Sequence, residues 1–422
     1  MIPLPVPSLG RLFGPLLAAQ LLSGVAAASD LAIVHATVLP VSGPAIADGT
    51  VLVTGGKIEA VGAGLPVPPG TPTVVDATGR YLTPGIIDMH SHMGVYPYPE
   101  SNGNSDGNEA TDPVTARVWS GDSVWVSDPA IPLARAGGVT TILVLPGSAN
   151  LVGGQATVMK LRPERTLDKM LFEGAPRQIK MACGENPKRV YQKDDDGPST
   201  RMGNVAALDE AFQHALDYRK ARATWREPPM TDPDLEVLLD VIDGRVRVNM
   251  HCYRADDIAA AYRVMDKYKV HISAFHHALE AYKVADLIAA HGTGIATWAD
   301  WWGFKMEAYD GVPQNAALNT AAGVTVAIHS DSSEGVQRLF TEAAKTLRYG
   351  QSEEDALKSI TLNPAKLIGI DARVGTIEVG KDADLALFNR HPFDVYTLVE
   401  RTWIDGELVF DRAVEGTPHV WP

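Results

Sequence analysis

Hydrophobic and polar positions follow distinct patterns in different parts of the chain. From residue 31 to 81, short apolar stretches alternate with polar turns, which is typical of β-strands and shows no helix-length periodicity. Residues 130–371 instead contain buried-type apolar runs followed by amphipathic stretches, such as the helix predicted over 205–223. After residue 371 the β pattern returns. The sequence therefore predicts β segments near both ends and alternating strands and helices between them.

The alternating part predicts parallel strands joined by crossover helices. Its strand–helix units number close to eight, which favours a closed (β/α)8 barrel over an open sheet. The short strands from both ends most economically form one small β-sandwich beside the barrel. We therefore predict an α/β fold with a leader over 1–28, a composite β-sandwich over 29–83 and 372–422, and a barrel over 84–371.

The first 28 residues have the layout of a secretory signal peptide. One basic residue, Arg11, precedes an apolar run, and the segment closes with Ala26, Ala27 and Ala28. The run is short for a bilayer span and Pro15 interrupts it, so a membrane anchor is disfavoured. We expect an exported protein, either periplasmic or secreted.

Charge narrows the choice of partners. The chain has 422 residues, a formal net charge of -14 and an isoelectric point near 5.3. Nucleic acid and anionic membranes are bound through basic patches, so this acidity argues against both. We expect a small-molecule substrate and no stable membrane insertion, and the sequence leaves a homo-oligomer open.

Metal-ligand residue types collect at the ends of predicted strands. The apolar run that ends in DMHSH places His90 and His92 two residues apart, and on a strand such positions face the same way. Later predicted strands end in Glu185, His251, His276, His277 and Asp331. Imidazoles and carboxylates that meet at one end of a barrel suit one or two divalent ions, with Zn²⁺ favoured.

The chain has two cysteines, and each lies close to a candidate ligand. Cys183 precedes Glu185 by two residues, and Cys252 directly follows His251. Free cysteine is among the most buried residue types. We therefore expect two small buried thiols at strand ends rather than a structural disulfide.

Five segments of the chain carry a family resemblance. TPGIIDMHSH, AGGVTTILVLPGS, AIHSD, ITLNPAKLIGI and GTIEVGKDADLALF occur in this order. With them the sequence resembles the metal-dependent amidohydrolase superfamily, in its imidazolonepropionase-like and prolidase-like branch. The resemblance implies a distorted (β/α)8 TIM barrel with a small β-sandwich. It also implies a set of metal ligands: His90, His92, His251, Asp331, and His277 in preference to His276.

The residue that would bridge two metal ions has two candidates. Many members of the superfamily use a carboxylated lysine on the fourth strand, and Lys180 lies on the corresponding strand here. Glu185 lies five residues further, at the mouth, where a shorter side chain would start nearer the metals. We favour Glu185 as the bridge and keep Lys180, if carboxylated, as the alternative.

The chemistry expected of such a site is hydrolysis. A metal-bound water is acidified towards neutral pH, and Asp331 accepts its proton and later delivers it to the leaving amine. We predict an exported metal-dependent hydrolase of amide or related C–N bonds, in dipeptides, N-acyl amino acids or cyclic amides. Arg189 and Tyr191 follow Glu185, and the forked Arg189 side chain suits a substrate carboxylate. The alternatives are a deaminase or lactone hydrolase on the same scaffold, and a catalytically idle binding protein.

Overall fold

The computed structural model describes residues 29–192 and 197–416, so the predicted signal peptide at 1–28 lies outside the described residues. The strands are β1 (Leu31–Val38), β2 (Ile46–Thr54), β3 (Lys57–Ala63), β4 (Thr73–Asp76), β5 (Tyr81–Pro84), β6 (Ile86–Ser91), β7 (Val139–Val144), β8 (Val152–Lys160), β9 (Arg177–Ala182), β10 (Val246–Cys252), β11 (Ile272–His277), β12 (Gly294–Thr297), β13 (Val326–Ile328), β14 (Leu385–Phe388), β15 (Val399–Ile404) and β16 (Glu407–Asp411). The α-helices are α1 (Ala130–Ala136), α2 (Glu185–Tyr191), α3 (Arg201–Thr224), α4 (Pro233–Ile242), α5 (Ala255–Tyr268), α6 (Ala285–Ala290), α7 (Asn315–Ala321), α8 (Leu339–Leu347), α9 (Glu353–Lys358), α10 (Leu362–Ile368) and α11 (Arg412–Glu415).

The first sheet is built from both parts of the chain that showed the β pattern. Its order is β16-β15-β14-β5-β1-β2-β3, and β4 pairs with β1. The join lies between β5 and β14, which run antiparallel with Leu82 opposite Leu387. Leu82, Ile33, Ile58 and Trp403 are buried in its apolar core. The prediction that strands from both ends form one β unit is therefore confirmed.

The second sheet is the barrel, with the strand order β13-β12-β11-β10-β9-β8-β7-β6. Neighbours from β9 to β13 are parallel, as are β6 and β7. Strand β8 is antiparallel to both β7 and β9, so a hairpin replaces one strand–helix unit. Only residues 145–151 separate β7 from β8, which is too short for a parallel crossover. The predicted distorted barrel is confirmed, although strict strand–helix alternation fails at β8.

The two ends of the barrel sheet meet just beyond β13. The backbone N–H of Asp331 donates to the His90 carbonyl at 3.1 Å. The Ser330 hydroxyl donates to the buried Asp88 carboxylate on β6. Because these bonds join the residues after β13 to β6, they bring the first and last strand ends of the barrel together.

Helices cover the outside of the barrel with one apolar face each. On α3 the side chains of Leu208, Phe212 and Ala215 are buried, which matches the predicted amphipathic spacing. The N-terminus of α9 is capped by Ser352, whose hydroxyl accepts the Asp355 N–H at 3.0 Å. Among the helices in the described ranges, none has the length and apolarity that crossing a bilayer requires.

Candidate metal centre

His90 is the last residue but one of β6, and His92 directly follows that strand. Their Nε2 atoms are 3.3 Å apart, and His90 is fully buried whereas His92 is partly exposed. The His92 Nδ1 lies 2.8 Å from the Leu145 carbonyl, so that nitrogen carries the proton and donates it. This bond leaves the His92 Nε2 as an acceptor that faces His90.

Donor atoms from several strand ends converge on this pair. One set consists of His90, His277 and His329, the other of His90, His92 and Asp331, and the donor atoms within each set lie within 4.8 Å of one another. The Asp331 Oδ1 is 3.3 Å from the His92 Nε2 and 3.6 Å from the His90 Nε2. The mouth of the barrel thus gathers ligand-type atoms from the ends of β6, β11 and β13.

Several of these buried nitrogens have no hydrogen-bond partner among the described residues. They are the His251 Nε2, the His277 Nδ1 and both ring nitrogens of His329. Burial lowers the pKa of His251 and His277 well below its usual value and that of His329 to about 3. Neutral imidazoles with free lone pairs, beside a carboxylate, are the donor set that divalent ions such as Zn²⁺ take in proteins. The residues present therefore fit a divalent metal ion.

Lys180 lies among these histidines on β9. Its side chain is fully buried, and its Nζ donates to the Pro146 carbonyl at 3.2 Å. Within the described chain it has no carboxylate within ion-pair distance, and burial lowers its pKa to about 7. After burial, the charge of Lys180 is the next cause of the lowered pKa of His90 and His251, which shows how close it lies to them.

Glu185 forms an ion pair with Lys305 and belongs to neither donor set. It is the first residue of α2, and its carboxylate lies 3.2 Å from the Lys305 Nζ. Gly184, with φ of 79°, turns the chain out of β9 before Glu185 is reached. The structure therefore does not bring the favoured bridge, Glu185, to the other candidate ligands, and it places Lys180 there instead.

The two adjacent histidines of β11 have different surroundings. His276 lies with its Nε2 3.0 Å from the Asn249 Oδ1 and its Nδ1 2.9 Å from the His90 Nδ1. His277 belongs to a donor set and adopts a positive φ of 68°. Positive φ is costly for such a residue and concentrates at functional sites. The structure thus places His277 in a candidate donor set, whereas the ring nitrogens of His276 lie within hydrogen-bond distance of Asn249 and His90.

Asp331 also has a positive φ, 49°, and is the carboxylate nearest the cavity side of the centre. Desolvation would raise the pKa of Asp331, but its interactions with His92, and then with His329 and Lys180, outweigh this and lower it, so the carboxylate stays ionised. Its side chain is 24% exposed. An ionised carboxylate that borders both the histidines and an open cavity can accept a proton there.

The two predicted substrate-binding residues separate in the structure. Tyr191 is buried, and its hydroxyl donates to the Asp112 carbonyl at 2.8 Å, away from the centre. Arg189 is exposed and lines a cavity of about 280 Å³ together with His251, His277 and Asp331. In the described part of the chain no carboxylate pairs with Arg189, so its guanidinium is available to a ligand.

Sequence reasoning missed two residues of the centre. His329 stacks on His90 with ring centres 4.8 Å apart, and it precedes Asp331 by two residues. The same two-residue strand period that singles out His90 and His92 would have found it. Ser148, whose Oγ lies 2.9 Å from the His251 Nδ1, follows β7 in a loop and gives no such signal.

The expectation of free thiols is wrong, because Cys183 and Cys252 form a disulfide. Their Cα atoms are 5.3 Å apart. The Cys183 N–H donates to the His251 carbonyl at 2.8 Å, because β9 and β10 are parallel neighbours that end side by side. This pairing of strand ends brings together two cysteines that are 69 residues apart in sequence.

The fold and site define an α/β barrel with a candidate divalent metal centre at its mouth, and the comparisons give its family. Residues 81–409 match the model of the amidohydrolase family. The chain therefore belongs to that family, and the resemblance seen in its motifs is confirmed.

Two proteins and one solved structure illustrate the similarity. An amidohydrolase, tasK, from Hapsidospora irregularis is 37% identical over 87% of this chain, and the chain spans 40% of that relative's length. The imidazolonepropionase of Caulobacter vibrioides is 24% identical over 82% of this chain and 88% of its own. The crystal structure of an amidohydrolase from Thermotoga maritima superposes with a TM-score of 0.85 at 39% identity, over 90% of this chain and all of that one.

Proposed function

We propose that this protein is a metal-dependent hydrolase of amide or related C–N bonds, in dipeptides, N-acyl amino acids or cyclic amides. One observation carries the proposal: buried neutral histidines with unpaired nitrogens converge with an ionised aspartate at the mouth of the barrel. The family assignment and the relatives named amidohydrolase and imidazolonepropionase support this class of reaction.

One or two divalent ions, with Zn²⁺ favoured, would be held at the strand ends. The residues that would hold them are His90, His92, His251, His277, His329 and Asp331, with Lys180 as a further ligand if carboxylated. When bound, such an ion polarises a carbonyl and lowers the pKa of water. The neutral state of the buried histidines keeps their lone pairs available for it.

The remaining steps fall to side chains at the cavity. Asp331 is ionised and partly exposed, so it can take a proton from the attacking water and pass it to the leaving amine. Arg189 lines the same cavity and would hold a substrate carboxylate through its two-pronged guanidinium. The Leu145 carbonyl fixes the ring of His92 beside Asp331.

We also propose that the protein is exported. The composition of residues 1–28 supports this, since a basic residue, an apolar run and small residues follow in signal-peptide order. The disulfide between Cys183 and Cys252 supports it as well, because such bonds persist in oxidising compartments.

The test combines a substrate screen with one variant. Metal-loaded protein is assayed against dipeptides, N-acyl amino acids, cyclic amides and lactones, and new amine and carboxylate are measured. For the best substrate, Asp331→Asn should keep metal bound through the histidines and lower kcat about 10²- to 10⁴-fold, because general acid–base catalysis contributes that much. Asp168→Asn, at an exposed aspartate, is the control and should leave kcat unchanged. Full activity of Asp331→Asn would remove Asp331 as the proton carrier.

A further inference from the structure

The loop between β12 and α7, residues 298–314, exposes large apolar side chains. Trp301 is 42% exposed and Phe304 is 54% exposed, and Trp302, Met306 and Tyr309 are exposed as well. Exposed apolar patches of this kind mark places where a ligand or partner binds. The loop follows the C-terminal end of β12, so it lies on the same face of the barrel as the candidate metal centre.

A column of rings connects this loop to the centre. Trp298 stacks on His277, with ring centres 4.4 Å apart and planes inclined by 24°. Trp301 stacks on Trp298 at 5.6 Å and 13°. Phe304 meets Trp298 edge-on at 5.7 Å. The exposed aromatic surface is therefore continuous with a candidate metal ligand rather than separate from it.

Tyr253 links the same rings to the cavity. It stacks on His277 at 5.0 Å and 11°, and Phe304 contacts it edge-on at 6.2 Å. Tyr253 and His277 both line the cavity of about 280 Å³ that Arg189 also lines. A molecule in this cavity thus meets aromatic rings on one side and an available guanidinium on another.

Ionic contacts hold the loop in place. The Lys305 Nζ lies 3.2 Å from the Glu185 carboxylate and 4.1 Å above the ring centre of Tyr253. The buried Glu307 carboxylate accepts a hydrogen bond from Arg201 at 2.7 Å and one from the Glu185 N–H at 2.9 Å. Because these contacts fix the backbone, the aromatic side chains are positioned before a ligand arrives, which reduces the entropy lost on binding.

We propose that Trp301 and Phe304 form the outer wall of an aryl-binding subsite. Substrates would then carry an aromatic or similarly flat apolar group close to the scissile amide, with a carboxylate directed to Arg189. This inference rests on the proposed function and narrows its substrate class. The exposed rings favour a flat apolar group because stacked and edge-on aromatic contacts add to the free energy of burial.

The test compares matched dipeptides on the metal-loaded full chain. Phe-Gly is compared with Ala-Gly, and Gly-Phe with Gly-Ala, by calorimetric binding and by hydrolysis. The aromatic member of at least one pair should bind about tenfold more tightly. The double variant Trp301→Ala/Phe304→Ala should reduce that preference to less than about twofold and leave the alanine dipeptides unaffected. Trp225→Ala, at an exposed tryptophan after α3, is the control and should keep the preference.

The outcomes separate this inference from the proposed function. Equal binding of aromatic and alanine dipeptides to the wild-type protein would overturn the subsite, even if all are hydrolysed. Aromatic preference in binding, with no hydrolysis of these dipeptides or of the N-acyl amino acids and cyclic amides in the screen, would support the subsite and contradict the proposed function.

Two further results would also overturn the subsite. The first concerns Trp301→Leu, which keeps an apolar surface but removes the indole. If this variant binds the aromatic and the alanine dipeptide with an equal loss of affinity, the indole does not recognise the aryl group. The second is a wild-type dimer that becomes monomeric in the double variant by light scattering while the aromatic preference stays. That result would show that the exposed aromatic side chains bind a second copy of the chain.

Discussion

Two lysines on adjacent strands, Lys160 and Lys180, are both completely buried, yet their surroundings are opposite. The Lys160 Nζ lies 2.7 Å from Asp382, 2.9 Å from Asp384 and 2.5 Å from Asp405. Burial alone would lower the pKa of Lys160, but these carboxylates outweigh it and raise the pKa. Lys160 is therefore a paired charge that joins the barrel to the sheet built from both chain ends.

Lys180 has no such counter-charge in the described structure. Its hydrogen-bond partner is the Pro146 carbonyl, and its pKa is lowered to about 7 by burial. A buried amine without a carboxylate contributes little to stability. The comparison teaches that burial alone does not identify a functional charge. A buried charge is a functional candidate when it lacks a counter-charge and lies beside other unpaired ligand atoms.

Position in the barrel explains the difference. Because β8 is antiparallel to its neighbours, its last residue, Lys160, lies at the end of the barrel opposite the candidate metal centre. Asp382 and Asp384 precede β14, and Asp405 lies in the turn between β15 and β16. The reversed strand thus carries a lysine to the interface of the two sheets, whereas parallel β9 carries Lys180 to the mouth.

The largest expected effect is on stability, from Lys160→Met. Removing the lysine leaves the buried Asp384 carboxylate without its cation, while Asp382 keeps Lys57 and Arg373. Breaking a buried pair in this way costs about 3–5 kcal/mol. Urea unfolding measures the loss. Lys169→Met, at an exposed lysine, is the matched control and should change the free energy of unfolding by less than about 0.5 kcal/mol. A loss below about 1 kcal/mol in Lys160→Met would show that the cluster does not hold the two sheets together.

The reciprocal variant, Lys180→Met, should leave stability within about 1 kcal/mol of wild type, because it removes a buried amine that has no charged partner. Its expected effect is on the site: turnover should fall about 100-fold, or about 2.7 kcal/mol in activation free energy. Metal content and kcat are measured on the same preparation. Unchanged metal content and kcat would show that Lys180 does not bridge the metal ions.

A smaller effect is expected from acid. Burial would raise the pKa of Asp382, but Lys160 and the other nearby cations outweigh burial and lower this pKa to about 2. The folded-state pKa lies below the unfolded value, so this stabilisation is present above about pH 4 and is lost as pH falls through about 2. The Asp382 contribution should drop by about 1 kcal/mol between pH 5 and pH 3.

The comparison with Asp382→Asn isolates that contribution. Burial raises the pKa of Asp384 to about 6, which is the opposite shift. Asp384 is present in both the wild-type protein and the variant, so its titration affects both. The difference in the free energy of unfolding between wild type and Asp382→Asn should therefore narrow from pH 5 to pH 3. A difference that stays constant over this range would contradict the assigned pKa of Asp382.

The sequence predicted the parts of this molecule that follow from strand geometry. The two-residue period of a strand places His90 and His92 on one face, and parallel strands place His251, His277 and Asp331 at one end. Apolar runs and their spacing predicted the barrel, because they reflect burial along the whole element. These features depend on local pattern and need no knowledge of turns.

The parts that the sequence left open or did not predict depend on how the chain leaves each strand. The turn at Gly184 decides that Glu185 faces Lys305 and that Lys180 stays with the histidines. The disulfide between Cys183 and Cys252 follows from which strand ends are neighbours. The short connection before β8 reverses a strand within the predicted run of strand–helix units. Each is a property of loop geometry and tertiary neighbours, which hydrophobic periodicity does not record.

The most direct measurement is of metal content and turnover on one sample of wild-type protein and one of His90→Ala, before and after dialysis against EDTA. His90 belongs to both donor sets, so its loss should affect every ion held there. The account predicts one or two divalent ions per wild-type chain, loss of turnover with EDTA, recovery on adding Zn²⁺, and little bound metal in His90→Ala. Full turnover of the metal-free wild-type protein, or unchanged metal content in His90→Ala, would contradict it.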